Sequence, residues 1–146
     1  MRRRSFPPVK LSPVIYGGGH EAGLRSGTLN VPAIVGMGKA VEIADEKMKA
    51  ESERYTQLTQ YILSHLKASL GDENVMLNGH PTLRLPHNLN ISIKGIESRS
   101  LIIQLKRIAL STGSACTSAE VKPSHVINSL GFREERAHSA IRIGLG

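Results

Sequence analysis

Aromatic side chains are scarce in this sequence of 146 residues, which has no tryptophan, three tyrosines and two phenylalanines. Without clustered aromatics there is no stacking platform for a single nucleic-acid strand. There is one cysteine, Cys116, which excludes an intrachain disulfide and a cysteine-built zinc site. A reducing, cytoplasmic setting is the expectation. The six histidines show no HExxH or other metal-ligand spacing, so no metal site is expected. No apolar run approaches the roughly 18 residues of a membrane span. The basic start, Met1 to Pro13, has no apolar segment behind it and does not read as a secretory signal. No membrane partner is expected.

Charge is present in excess of one sign, at +7 net. Arg2, Arg3, Arg4 and Lys10 all precede the first acidic residue, Glu21. Setting those four aside leaves the body of the chain close to balance. A phosphate footprint needs a patch across a folded face, so nucleic acid is not expected as a direct partner. Hydrophobic residues make up 40% and charged residues 21%, which suits a globular α+β domain rather than a disordered one.

Pro7, Pro8 and Pro13 mark the opening as extended. Val14, Ile15 and Tyr16 read as a short strand entering a glycine loop. Asn30 and Pro32 punctuate a helix start, and Ile34, Met37, Val41, Ala44 and Met48 recur at helical spacing. The stripe resumes at Tyr55, Leu58, Ile62, Leu66 and Leu70, so two helices or one bent helix should run to Gly71. "VMLNG" reads as a short strand. In "HNLNISIKG", Leu89, Ile91 and Ile93 alternate with polar residues, the pattern of a strand with one buried face. A short helix follows around Leu101, Ile102 and Leu105, with Ser98 near its start. "RIAL" reads as a strand, Val126 to Leu130 as a helix closed by Gly131, and "AIRIGLG" as a last strand with Arg142 facing away from Ile141 and Ile143. These elements make an α+β layer structure with an antiparallel or mixed sheet packed by helices. Residues 1–30 read as an extended, glycine-rich linker and 31–146 as the domain. The final strand ends uncovered at Gly146, which suggests a piece of a larger protein.

Three features bear on chemistry. Cys116 lies in "LSTGSACTSAEV", among Thr112, Gly113, Ser114, Ala115, Thr117 and Ser118. A lone cysteine is ordinarily a small buried hydrophobe, but this one has no large apolar neighbour. A loop of small polar residues favours exposure, and no acid from Leu110 to Ala119 opposes thiolate formation, so a reactive thiol is the favoured reading. In "YGGGHEAGLRSGTLNVP", Arg25, Ser26 and Thr28 precede the helix start. They could donate to an oxyanion or phosphate, or the stretch could be a glycine turn and a helix cap, and the pattern leaves both open. Arg142 alternates with Ala140 and Gly144, which leaves room for a carboxylate on a guanidinium fork. Taken alone, a strand arginine paired with Glu134 or Glu135 is the more ordinary outcome.

Together, "GGGHEAGLRSGTLNVPAIVGMGKA", "STGSACTSAEVKPSHVINSLG" and "AHSAIRIGLG" resemble the C-terminal part of the cysteine desulfurases. Those are class V aminotransferase-type enzymes of pyridoxal phosphate fold type I, and the loop is of the NifS/IscS kind. The resemblance covers essentially the whole chain. It implies the small C-terminal α+β domain of that fold. It also implies that Cys116 is the catalytic cysteine, taking sulfur from L-cysteine as a persulfide and leaving alanine. By the same resemblance, Thr28 contacts the phosphate of pyridoxal phosphate across a homodimer, and Arg142 holds the substrate carboxylate. The sulfur acceptor would be an iron–sulfur scaffold or another acceptor protein.

The sequence departs from that family in one decisive respect. No His-Lys pair occurs, whereas the lysine that anchors the cofactor follows a Ser-x-His-Lys pattern. The resemblance therefore implies a C-terminal fragment without the large domain, inactive on its own. Two other readings use the same residues: a non-enzymatic sulfur carrier acting through Cys116, and another class V enzyme such as a selenocysteine lyase.

Overall fold

The computed structural model describes residues 10–112 and 124–146. It divides the chain into two compact units, Met1–Asp45 and Glu46–Gly146.

In the first unit the run Val14–Tyr16 is not a strand, contrary to its apolar pattern. Among the described residues no strand pairs with it. The tie seen there is one loop bond, Ser26 N–H to the Ile15 carbonyl at 3.1 Å. A single 3-10 turn follows at Glu21–Gly23, with Glu21 and Ala22 both at positive φ, a conformation that side chains other than glycine adopt at a cost. Helix α1, Val31–Leu70, then starts where expected. Asn30 Oδ1 accepts the Ala33 N–H at 3.2 Å, and Pro32 costs nothing in a first turn whose donors have no intrahelical acceptor. The helix is one continuous element rather than two. Ile34, Met37 and Val41 keep helical spacing in the first unit but are exposed.

The second unit holds the core. Helix α1 reaches Leu70, and Gly71 at φ 93° turns the chain, as glycine does past a helix end. A 3-10 turn, Asp72–Asn74, leads into strand β1, Val75–Leu77, and then comes β2, Asn88–Ile93. Helix α2 is Ser98–Gln104 and strand β3 is Ser111–Thr112. Helices α3, His125–Ser129, and α4, Glu134–His138, precede strand β4, Ala140–Gly144. The architecture is α+β, with a four-stranded sheet in the order β1-β2-β4-β3 whose pairings are all antiparallel. One further sequence expectation needs correction, and one element was not expected. "RIAL" is a turn, and the strand follows it at Ser111–Thr112, because those are the residues in register with Arg142 and Ile141. Helix α4 carries no apolar period long enough to announce it.

Side chains alternate across a strand, and the sheet uses both faces. On one face Val75, Leu89, Ile91, Ile93 and Ile141 form the core, with Ile62, Leu63 and Leu66 of α1 packed against it. Of the second part of the α1 stripe, Ile62 and Leu66 thus meet the sheet, while Leu58 and Leu70 are exposed. On the other face a polar network ties α4 down. Asn78 Nδ2 donates to Asn90 Oδ1 and to Ser92 Oγ, both at 2.8 Å. Ser92 Oγ donates to the Arg136 carbonyl at 2.7 Å. Arg136 Nε donates back to Asn78 Oδ1 at 2.8 Å, and its Nη2 to the Leu77 carbonyl at 2.7 Å. Ser92 is fully buried and Asn78 nearly so, and their bonding meets the demand that buried polar groups be partnered.

Glu97 caps α2. Its carboxylate accepts from the Ser100 hydroxyl and N–H, both at 2.7 Å, and from the Arg99 N–H at 3.0 Å. Ser98 is buried and donates to the His138 carbonyl at 2.7 Å. The bonds from Ser100, then from Arg99, hold the Glu97 carboxyl below the ordinary glutamate value of 4.5.

Two outcomes follow from this packing. Ile91, 0% exposed, truncated to alanine should cost about 2–5 kcal/mol in denaturant unfolding. Ile103→Ala, at a position 70% exposed, should cost less than about 0.5 kcal/mol. A lowered folded-state pKa means that the Glu97 cap supports α2 fully above the ordinary value and fails as pH falls through the lower one. The amide proton shifts of Arg99 and Ser100 should titrate together with a midpoint below 4.5.

Candidate functional site

Thr28 lies in the first unit, two residues before the Asn30 cap. Its loop is held by its own side chains. Ser26, 2% exposed, turns its Oγ inward to accept the Gly19 N–H at 3.1 Å. Arg25 Nη1 donates to the Gly27 and Thr28 carbonyls at 3.0 and 3.1 Å, and Gly27 takes the φ of 89° that the bend requires. Of the three donors named from sequence, Arg25 and Ser26 are thus engaged in shaping the loop. Thr28 is the one left exposed.

Arg142 lies in the second unit, on β4. Its neighbours in register are Asn90 on β2 and Ser111 on β3, so the three side chains share the sheet face opposite the apolar core. Arg142 is exposed, and its Nε donates to Ser111 Oγ at 3.0 Å. The carboxylate pairing with Glu134 or Glu135 is not formed; Glu134 faces His138 instead, at 3.5 Å. The reason is positional: Glu134 and His138 sit one turn apart on α4, as i and i+4 side chains do. Among the described residues, the Nη1–Nη2 edge of Arg142 has no protein partner.

Cys116 falls outside the described residues. Its place in the chain still matters, because β3 ends at Thr112, four residues before it. The strand that supplies the partner of Arg142 is therefore also the stem of the cysteine segment. Ser111 and Asn90 are the site neighbours that sequence reasoning missed. The available signal was the cross-strand register, which a single sequence does not state.

The sheet face carries a second arginine with a different fate. Arg136 stacks its guanidinium on Phe132, 3.5 Å from the ring centre, and burial lowers its pKa. It borders a groove of about 770 Å³ lined also by Met76, Lys94, Ile96, Phe132 and Arg133. Arg142 is not among the lining residues, and Arg136 is committed to Asn78 and Leu77. Among the described residues no cluster of three metal-ligating side chains occurs. No helix is long and apolar enough to cross a membrane.

Comparison with known proteins gives these positions a context. Residues 9–146 match the family described as Aminotransferase class-V. The chain belongs to that family. It is 50% identical over 144 residues to the protein named "Cysteine desulfurase IscS" of Methylococcus capsulatus, an alignment that covers 98% of this chain and 35% of that protein. It is 48% identical over 146 residues to "Cysteine desulfurase, mitochondrial" of Arthroderma benhamiae, covering 100% of this chain and 28% of the other. Among solved structures, a NifS-like protein from Rickettsia africae superposes with a TM-score of 0.72 at 31% identity, covering 94% of this chain and 35% of that one. This class-V chain spans about a third of the length of the curated relatives it matches.

The loop of this class-V chain makes a direct test. Arg25→Ala should free the Gly27 and Thr28 carbonyls. The backbone order parameter at Thr28, read by nitrogen-15 relaxation, should fall from about 0.85 toward 0.6 or below. An unchanged value would show that Arg25 does not hold the loop.

Proposed function

We propose that this chain supplies the sulfur-accepting and carboxylate-binding part of a cysteine desulfurase. The observation that carries the reading is the Arg142–Ser111 pair. Among the described residues, this pair leaves a guanidinium with an open edge beside the strand that leads directly into the cysteine segment. An α-amino acid whose carboxylate rests on Arg142 would present its side chain to a thiol tethered at the end of β3. The kinship with proteins named cysteine desulfurase supports L-cysteine as that amino acid. Cys116, as thiolate, forms a bond to the substrate sulfur while the carbon–sulfur bond breaks. The electron pair leaves with carbon, which is protonated to give alanine, and Cys116 retains the sulfur as a persulfide.

Family membership implies pyridoxal phosphate, and the residues present fit its phosphate end. Thr28 stands exposed on a loop that Arg25 and Ser26 hold in shape, which supports the reading that its hydroxyl donates to a phosphate oxygen. When bound, that cofactor withdraws electrons from the amino acid it holds and so eases loss of sulfur. In this reading Arg142 orients the substrate carboxylate and Cys116 receives the sulfur, while Thr28 contacts the phosphate held by the other subunit of a homodimer. The lysine setting Ser-x-His-Lys is not among the residues of this sequence. With this reading go a homodimer, a cytoplasmic location, and delivery of the sulfur to an iron–sulfur scaffold or another acceptor protein.

The reading is tested by grafting this chain in place of the matching third of the Methylococcus capsulatus protein and assaying sulfide and alanine from L-cysteine. The hybrid should turn over, with a mass gain of one sulfur on Cys116 before reductant is added. Cys116→Ala should lower the rate by about a thousandfold or more. Equal rates with and without the thiol would sink the proposal.

A further inference from the structure

The geometry points to Ser111 as the residue that positions Arg142, so that only the outer edge of its guanidinium meets a ligand carboxylate. This inference rests on the reading of Arg142 as a carboxylate anchor and adds to it how the anchor is set. An arginine on a strand has a long, flexible stem, and ordering it costs rotamer freedom. Strand β4 offers it two neighbours in register, Asn90 and Ser111. Asn90 Oδ1 already accepts from Asn78 Nδ2 at 2.8 Å. Ser111 Oγ takes Nε at 3.0 Å.

The choice of nitrogen decides what remains. A guanidinium can grip a carboxylate in parallel through Nη1 and Nη2, or through Nε and one Nη. A hydroxyl on Nε blocks the second mode and turns the first outward. Arg142 is thus pre-set for one ligand orientation before any ligand arrives. Because Ser111 lies on β3, five residues before Cys116, the same bond ties the stem of the cysteine segment to the group that holds the substrate. A serine on a two-residue strand is otherwise an unremarkable edge position.

The test uses the whole 146-residue chain and reads binding and geometry rather than turnover. The Nε–Hε resonance of Arg142 is followed by NMR while L-alanine, and separately acetate, is titrated in. In the unaltered chain Hε should exchange slowly, and the Nη signals should move on titration. Ser111→Ala should lose the slow Hε exchange and weaken carboxylate binding about three- to tenfold. Ser111→Thr, which keeps the hydroxyl, should restore both. The methyl signals of Ile91 and Ile141 should stay unchanged in each variant, showing an intact sheet. If Arg142→Gln abolishes binding while Ser111→Ala leaves affinity and Hε exchange as they were, the role of Ser111 is overturned and the anchor stands. If Arg142→Gln leaves binding unchanged, or the unaltered chain binds neither carboxylate, the anchor itself fails and Ser111 with it.

Discussion

The pairing of β2 with β4 is the constraint on which the second unit depends. Five positions are in register, from Asn88 with Gly144 to Ser92 with Ala140. Because side chains alternate with a period of two, this single register sends Leu89 and Ile91 with Ile143 and Ile141 toward α1. It sends Asn90 and Arg142 to the opposite face. A slip of one residue would turn Arg142 into the apolar core and expose Ile141. The core and the candidate site are therefore not separate achievements of the fold. The apolar side chains that hold the sheet to α1 also fix where the guanidinium emerges.

The polar face is divided by how its hydrogen bonds are satisfied. Near Ser92 and Ala140 it is closed by α4, which is held there by Asn78, Ser92 and Arg136 rather than by apolar burial alone. Near Asn90 and Arg142 no helix covers it among the described residues. Two arginines on one side of one sheet thus have opposite uses. Arg136 donates to the Leu77 carbonyl and to Asn78 and stacks on Phe132, which leaves it structural. Arg142 gives only Nε to the protein, among the described residues, and its Nη1–Nη2 edge has no protein partner there.

The elements legible in the sequence were those whose signal is local. The Asn30 cap, the glycine turns after α1 and α3, and the alternation of Leu89, Ile91 and Ile93 each depend on neighbours a few residues away. The elements that escaped were decided by distant partners. Val14–Tyr16 has strand-like residues but, among the described residues, no strand beside it, so it stays a loop. Ser111–Thr112 has no strand-like run, yet β4 recruits it. Helix α4 is five residues long and is held by a network reaching back to Asn78, 58 positions earlier. The apolar stripe of α1 read correctly as helical, and within the second unit Ile62 and Leu66 of it meet the sheet.

By itself the sequence determined the class of fold, the residue types available for chemistry and the family resemblance, because composition, periodicity and motif order are properties of the chain alone. It singled out Cys116, Thr28 and Arg142. Only the tertiary structure decided which groups stand ready. It turned Ser26 inward, set Arg25 to holding the loop, left Thr28 exposed, and gave Arg142 to Ser111 instead of to Glu134 or Glu135. The physical reason is that a hydrogen bond goes to whichever acceptor the backbone brings within reach. Cross-strand register brings Ser111 to Arg142 over a separation of 31 residues, which no local pattern records.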